Sequence, residues 1–154
     1  MRSRIQRARD GGLRVRLDQQ ERDLLRSLPA QLRELLEETP DDPSLRRLFP
    51  PASDDKEVEG EYRRLMAPDL RDRRLSALAV MESTVDQERL SEDEASAWLS
   101  ALNDMRLVLG TRLDVTEDLD PSTIPPDDPR APGLALYGYL SWVVEQLVEA
   151  LLPA

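Results

Sequence analysis

A mainly α protein, a helical bundle carrying a small N-terminal β-hairpin, is the fold class this sequence predicts. Three observations carry that reading. Apolar residues recur at three- and four-residue steps through most of the 154-residue chain, the period of a half-buried helix. Only the first 17 residues break that rhythm and alternate instead, around Asp10-Gly11-Gly12. Two helix-start signatures, Asp18 with Glu21 and Ser91 with Glu94, stand where helical patterns begin.

The stretch RIQRARDGGLRVRLD, residues 4–18, reads as the hairpin. Asp10-Gly11-Gly12 supplies residues suited to positive φ in a tight turn. Leu13, Val15 and Leu17 alternate with Arg14 and Arg16. Loop length decides what the arginines do. A two-residue loop at Asp10-Gly11 or Gly11-Gly12 sets Arg7, Arg9, Arg14 and Arg16 on one face, where like charges opposite one another are costly. A three-residue loop aligns Ile5 with Leu13, Val15 and Leu17 and splits the cluster. The sequence leaves both registers open.

A helix is expected from Asp18 to Glu38, with Leu24, Leu25, Leu28, Leu32, Leu35 and Leu36 as its stripe. Pro29 predicts a kink or a division into two. SLRRLFPP (44–51) reads as a short helical turn whose Leu45, Leu48 and Phe49 plug the core. A further segment over 55–67 places Val58, Tyr62, Leu65 and Met66 on one side. A new helix then starts at Pro68-Asp69 and runs to about Gln87. The helix opened by Ser91 is expected to stop at Leu109 or Gly110, with TRLDV (111–115) as a brief strand. Residues 116–132 are acidic and proline-rich, a loop or a disordered linker. The last helix, 133–152, is apolar around much of its circumference. It is either central in the bundle or the seam of a homodimer. All of this is read as one domain over 1–154: a basic arm (1–17), a helical body (18–115), the acidic loop and the C-terminal helix.

Composition excludes several kinds of chemistry. With no cysteine and no histidine, there is no disulfide, no Cys/His zinc site, no Ser-His-Asp triad and no histidine base. No glycine-rich phosphate loop occurs. DVTEDLD (114–120) imitates a calcium loop but has Leu119 where glycine is required. We therefore expect no cofactor, no metal and no enzymatic activity. No run of about 18 apolar residues exists to span a membrane, and a cytoplasmic protein is expected. The net charge is −10, yet residues 1–16 hold six arginines against Asp10 alone, so the remainder stands near −15. Lys56 is the sole lysine, as in proteins from GC-rich genomes.

Two sets of residues stand out as candidate partner contacts. The first is Arg7, Arg9, Arg14 and Arg16. They pair with the chain's own carboxylates, or they meet a protein partner or, less favoured, nucleic acid. No aromatic residue interleaves them for base stacking, and the acidic body repels DNA. The second lies in WLSALNDMRLVLGTRL (98–113). Helical spacing accounts for Trp98, Leu102, Met105 and Leu109 but not for Asn103, Asp104, Arg106 and Arg112. These either tie helices together or grip a carboxylate or phosphate, with Gly110 permitting close approach.

AWLSALNDMRLVLGTRLDV (97–115), LRRLFPPA (45–52), EYRRL (61–65) and the Tyr/Trp-bearing last helix together resemble an actinobacterial family of unknown function. Some of its members are described as AosR-like oxidative-stress transcription regulators. The resemblance spans nearly the whole chain, and its most specific part is LNDMRLVLGTRL. It implies regulation through partner proteins of the transcription machinery. A thiol switch cannot carry over to a chain without cysteine. The resemblance assigns no role to any single residue.

Overall fold

The computed structural model describes residues 3–49, 54–120 and 123–153. Arg2, the Pro50-Pro51-Ala52 end of the helical-turn motif, and residues 121–122 of the acidic loop lie outside them. The described elements run β1 (Ile5–Arg7), β2 (Leu13–Val15), α1 (Gln19–Glu38), a 3-10 turn (Pro43–Leu45), α2 (Lys56–Thr84), β3 (Arg89–Leu90), α3 (Glu92–Arg112) and α4 (Ala131–Leu151). The fold is mainly helical, as expected, with the hairpin at its start.

The hairpin adopts the three-residue loop. Ile5 stands opposite Val15, Gln6 opposite Arg14 and Arg7 opposite Leu13. The Ala8 amide donates to the Gly12 carbonyl at 2.7 Å, closing a loop of Arg9, Asp10 and Gly11. Gly11 has φ +92°, a conformation that disfavours any side chain. Ile5, Leu13, Val15 and Leu17 are all buried. Residues Arg89–Leu90 add a third antiparallel strand beside β2, with Leu90 opposite Leu13 and Arg89 opposite Arg14. Two residues are too few to show a period, so this strand was invisible in the sequence.

The free edge of β1 is covered. Gln146 of α4 is buried, and its Oε1 accepts from the Ile5 amide at 3.1 Å and from the Arg4 amide. A side-chain carbonyl thus stands where a fourth strand would otherwise pair. Arg22 makes a second tie between the sheet and the helices. It is 8% exposed, and its guanidinium donates to the carbonyls of Val85 (2.6 Å), Gln87 (3.0 Å) and Leu17 (3.2 Å). It therefore places a cation on the C-terminal end of α2 while fastening the sheet to α1.

α1 begins at the expected capping box, Asp18 with Glu21, and passes unbroken through the buried Pro29. α2 corrects the expected division at Pro68: one helix of 29 residues spans both segments. Pro68 is exposed, so the Arg64 carbonyl that loses its donor can meet water, which lowers the cost of an interior proline. The second half of α2 buries Leu78 and Met81, and Val85 is buried just past its end. The side bearing Val58, Tyr62, Leu65 and Met66 faces outward, with Leu65 76% exposed.

α3 corrects two further expectations. Gly110 does not end it, and TRLDV forms no strand. The helix continues to Arg112 and closes in a Schellman arrangement: the Val115 amide donates to the Gly110 carbonyl (2.8 Å) and Asp114 to Thr111 (3.3 Å). Asp114 takes the left-handed conformation, φ +56°, a role aspartate tolerates better than most residues. Gly110 instead admits Tyr137 of α4, since a Cβ there would meet the ring at 3.0 Å. Trp98, fully buried, donates from Nε1 to Thr84 Oγ1 at 2.7 Å and locks α3 to the end of α2.

α4 packs its Leu140, Val143 and Leu147 into this chain's own core. Its buried side meets α3 and β1, so α3 rather than α4 is the central helix; Val148 and Leu152 remain outward.

Candidate partner-contact surface

The three strands present two faces with different chemistry. Odd-numbered residues of β2 point to the helices, and even-numbered ones point outward. Across the outer face, Gln6, Arg14 and Arg89 form one cross-strand row. Two guanidinium side chains therefore stand directly opposite each other on neighbouring strands, an arrangement that costs stability when left uncompensated. Arg89 is partly compensated by Asp10 of the hairpin loop, at 2.5 Å. The Gly12 amide hydrogen-bonds Asp10, and with the Arg89 charge it holds that carboxyl below the usual range. Arg9, Arg14 and Arg16 are exposed, and among the described residues no ion pair or hydrogen bond engages their side chains. A shallow hollow of about 600 Å³ opens here between Gln6, Arg7, Arg9, Asp10, Arg14 and Arg89.

Arg7 belongs elsewhere. Its position opposite Leu13 turns it toward the body, where Nε donates to the Ala150 carbonyl at 2.9 Å and Nη1 pairs with Glu92 at 2.8 Å. It fastens the hairpin to the end of α4 and the start of α3. The four arginines singled out in the sequence are thus divided: Arg14 and Arg16 outward, Arg9 on the loop, and Arg7 exposed but tied to α3 and α4. Arg89, which the sequence did not single out, completes the outer row.

The polar run in α3 divides in the same way. Asp104 is 4% exposed and pairs with Arg74 of α2. Arg74 also donates to the Leu48 carbonyl at 2.7 Å and lies 5.4 Å over the Phe49 ring. One arginine thus joins α2, α3 and the loop after the 3-10 turn. Burial pushes the Asp104 carboxyl up, although Arg74 beside it pulls the other way. Asn103 and Arg106 lie on another side of α3 and bind each other, Nη2 to Oδ1 at 2.7 Å. The Arg106 Nε is buried with no hydrogen-bond partner among the described residues. Arg112 is half exposed at the end of α3 and approaches Asp42 at 3.8 Å. The structure does not bring Asn103, Asp104, Arg106 and Arg112 together, and none of them reaches the sheet face.

Other hollows of about 300, 410 and 350 Å³ lie on the surface, the first between Phe49, Arg63, Arg64 and Arg71. An apolar cleft of about 120 Å³ lies between α1, α3 and α4, walled by Leu28, Leu32, Met105, Val108 and Leu136. That is well below the ~300 Å³ of ordinary ligand pockets. Among the described residues no group of three or more Asp or Glu side chains is placed to hold a metal ion. No described helix is long and apolar enough to cross a membrane.

A mainly helical body, a three-stranded sheet covering one end, and the LNDMRLVLGTRL helix through its core define the class of protein. The chain belongs to the family described as a domain of unknown function, DUF2017, which matches residues 1–151. It is similar to the putative oxidative stress regulator AosR of Mycobacterium leprae and to the oxidative stress regulator AosR of Mycobacterium tuberculosis. Each is 31% identical over 131 residues, covering 73% of this chain and 60% of the relative. The chain thus spans less than two thirds of the length of those relatives. No solved structure matches it.

Proposed function

We propose that this chain is a non-enzymatic regulatory protein of an oxidative-stress response that works in the cytoplasm by binding another protein. The relatives' names support the process. The observation that carries the mode of action is the Arg14–Arg89 cross-strand pair, with Arg9 and Arg16 unengaged beside it. Positive charge concentrated on one face of a chain of net charge −10 disfavours the isolated fold and favours a contact. Asn103 and Arg106 form a second, smaller candidate contact on one side of α3, and Arg112 stands apart from them at its end.

The test is made in the host. A strain lacking the gene is exposed to peroxide, and its transcripts are compared with those of the parent. The expected result is a blunted oxidant response, restored by the wild-type gene and not by one carrying Arg14→Glu and Arg16→Glu. A transcript profile indistinguishable from the parent's overturns the regulatory reading.

A further inference from the structure

We infer that the outer face of the sheet is a docking surface for an extended acidic peptide segment, with Asp or Glu at alternate positions, from a partner protein. The inference rests on the regulatory reading above and adds the chemistry of the partner. Its basis is spacing. Neighbouring strands lie ~4.8 Å apart, so Arg14 and Arg89 can share a single carboxylate between them. That carboxylate would cancel the repulsion that the register imposes on the pair. Arg14 lies on β2 and Arg16 one residue past its end; in extended backbone two residues span ~6.6 Å, which is also the step between alternate residues of an extended peptide. A peptide lying along β2 therefore presents its next acid to Arg16 and its preceding one toward Arg9 on the loop. The Arg89 guanidinium retains donors for this, because Asp10 takes only Nη2.

The remaining features of the face agree. Its edge at β1 is closed by Gln146, so the partner cannot add a strand there. The hollow contains no aromatic ring on which a base could stack. A DNA duplex carries one charge per ~1.7 Å and would run past three short strands onto the acidic body. A short peptide ends within the face.

The experiment is fluorescence anisotropy of the full chain with a labelled peptide alternating glutamate and glycine, at about 0.1 M salt. The wild type should bind. Arg14→Glu should weaken binding about tenfold, and adding Arg9→Glu and Arg16→Glu should abolish it. Among the described residues these arginines have no partner to lose, so the variants should melt no lower than wild type. A control carrying Arg71→Glu and Arg73→Glu changes the net charge by as much as reversing two of the sheet-face arginines. These residues are exposed on α2, and the control should bind within about twofold of wild type. Absence of peptide binding overturns the inference, as does equal weakening by the α2 control. Displacement of the peptide by an equally charged DNA duplex assigns the face to nucleic acid and also overturns it. Peptide binding in a protein whose deletion leaves the oxidant response intact sinks the regulatory reading alone.

Discussion

The Asp104 carboxylate and the Arg74 guanidinium form an ion pair inside the α2–α3 interface, with the Leu48 carbonyl as the arginine's second acceptor. The pair converts the least helix-like part of the α3 sequence into a joint between three segments. It also explains why an aspartate is tolerated among Trp98, Leu102 and Met105.

Removing one partner of such a pair leaves a charge without compensation. Asp104→Ala should lower stability by ~3 kcal/mol, the low end for a buried pair because Arg74 keeps 24% of its side-chain surface. Asp104→Leu combined with Arg74→Met should recover most of that loss. Urea midpoints of the single and double variants provide the check. A double variant as unstable as the single one would mean that the loop contact to Leu48, not the pair, carries the energy.

Arg22 offers a second, independent joint. Its replacement by alanine strands the Val85 and Gln87 carbonyls at the end of α2, at a cost of ~2–3 kcal/mol for bonds from a charged donor. Arg22→Lys should restore only part, since one ammonium cannot span carbonyls on both sides of the fork. Equal denaturation midpoints for the lysine and wild-type proteins would contradict this.

Arg7 and Arg9 are two residues apart in the sequence and should behave differently. Arg7→Ala loses the bond to the Ala150 carbonyl and the Glu92 pair, and should cost ~1–2 kcal/mol. Arg9→Ala, on the exposed loop, should fall within ~0.5 kcal/mol of wild type. Thermal melts of the two variants side by side decide it. Similar losses in both would argue that the loop arginine has a structural partner.

These contrasts show which parts of the molecule were legible from residues alone. Periodicity and capping boxes placed α1, α3, α4 and the hairpin, because each is a local signal repeated over many residues. Pro68 misled because a proline's cost depends on whether water reaches the carbonyl it strands, and exposure is a tertiary property. Gly110 misled because a glycine that ends a helix and one that admits a neighbouring ring look alike in sequence. Only Tyr137, 27 positions away, separates the two. The outward arginine row was half visible: Arg14 and Arg16 follow from alternation. Arg89 enters through a strand of two residues, and the exit of Arg7 depends on a register that loop length alone decides.

The acid side of the stability curve provides a last test, and its sign follows from which carboxyls are shifted. Asp42 accepts from the Ser44 hydroxyl and amide, and Arg112 stands nearby; these hold its carboxyl below the usual range. Asp10 and Asp128 are lowered in the same sense, by the Gly12 and Arg130 amides first. A lowered carboxyl stabilises the fold above its ordinary value of 3.8. That contribution is lost as pH falls through the lowered value. Asp104 acts in the opposite sense: its raised carboxyl favours the fold below the ordinary value and loses that contribution as pH rises through the raised one. Asp42→Asn keeps an oxygen that can accept from Ser44 but cannot titrate. Near neutral pH the variant should be less stable than wild type, since it lacks what the lowered carboxylate contributes, and the two should converge as pH falls below about 4, so its acid decline is shallower. Urea midpoints measured across that range compare the two slopes directly. Parallel acid limbs would show that Asp42 binds its proton equally well folded and unfolded, and would remove it from the groups that set the acid limit.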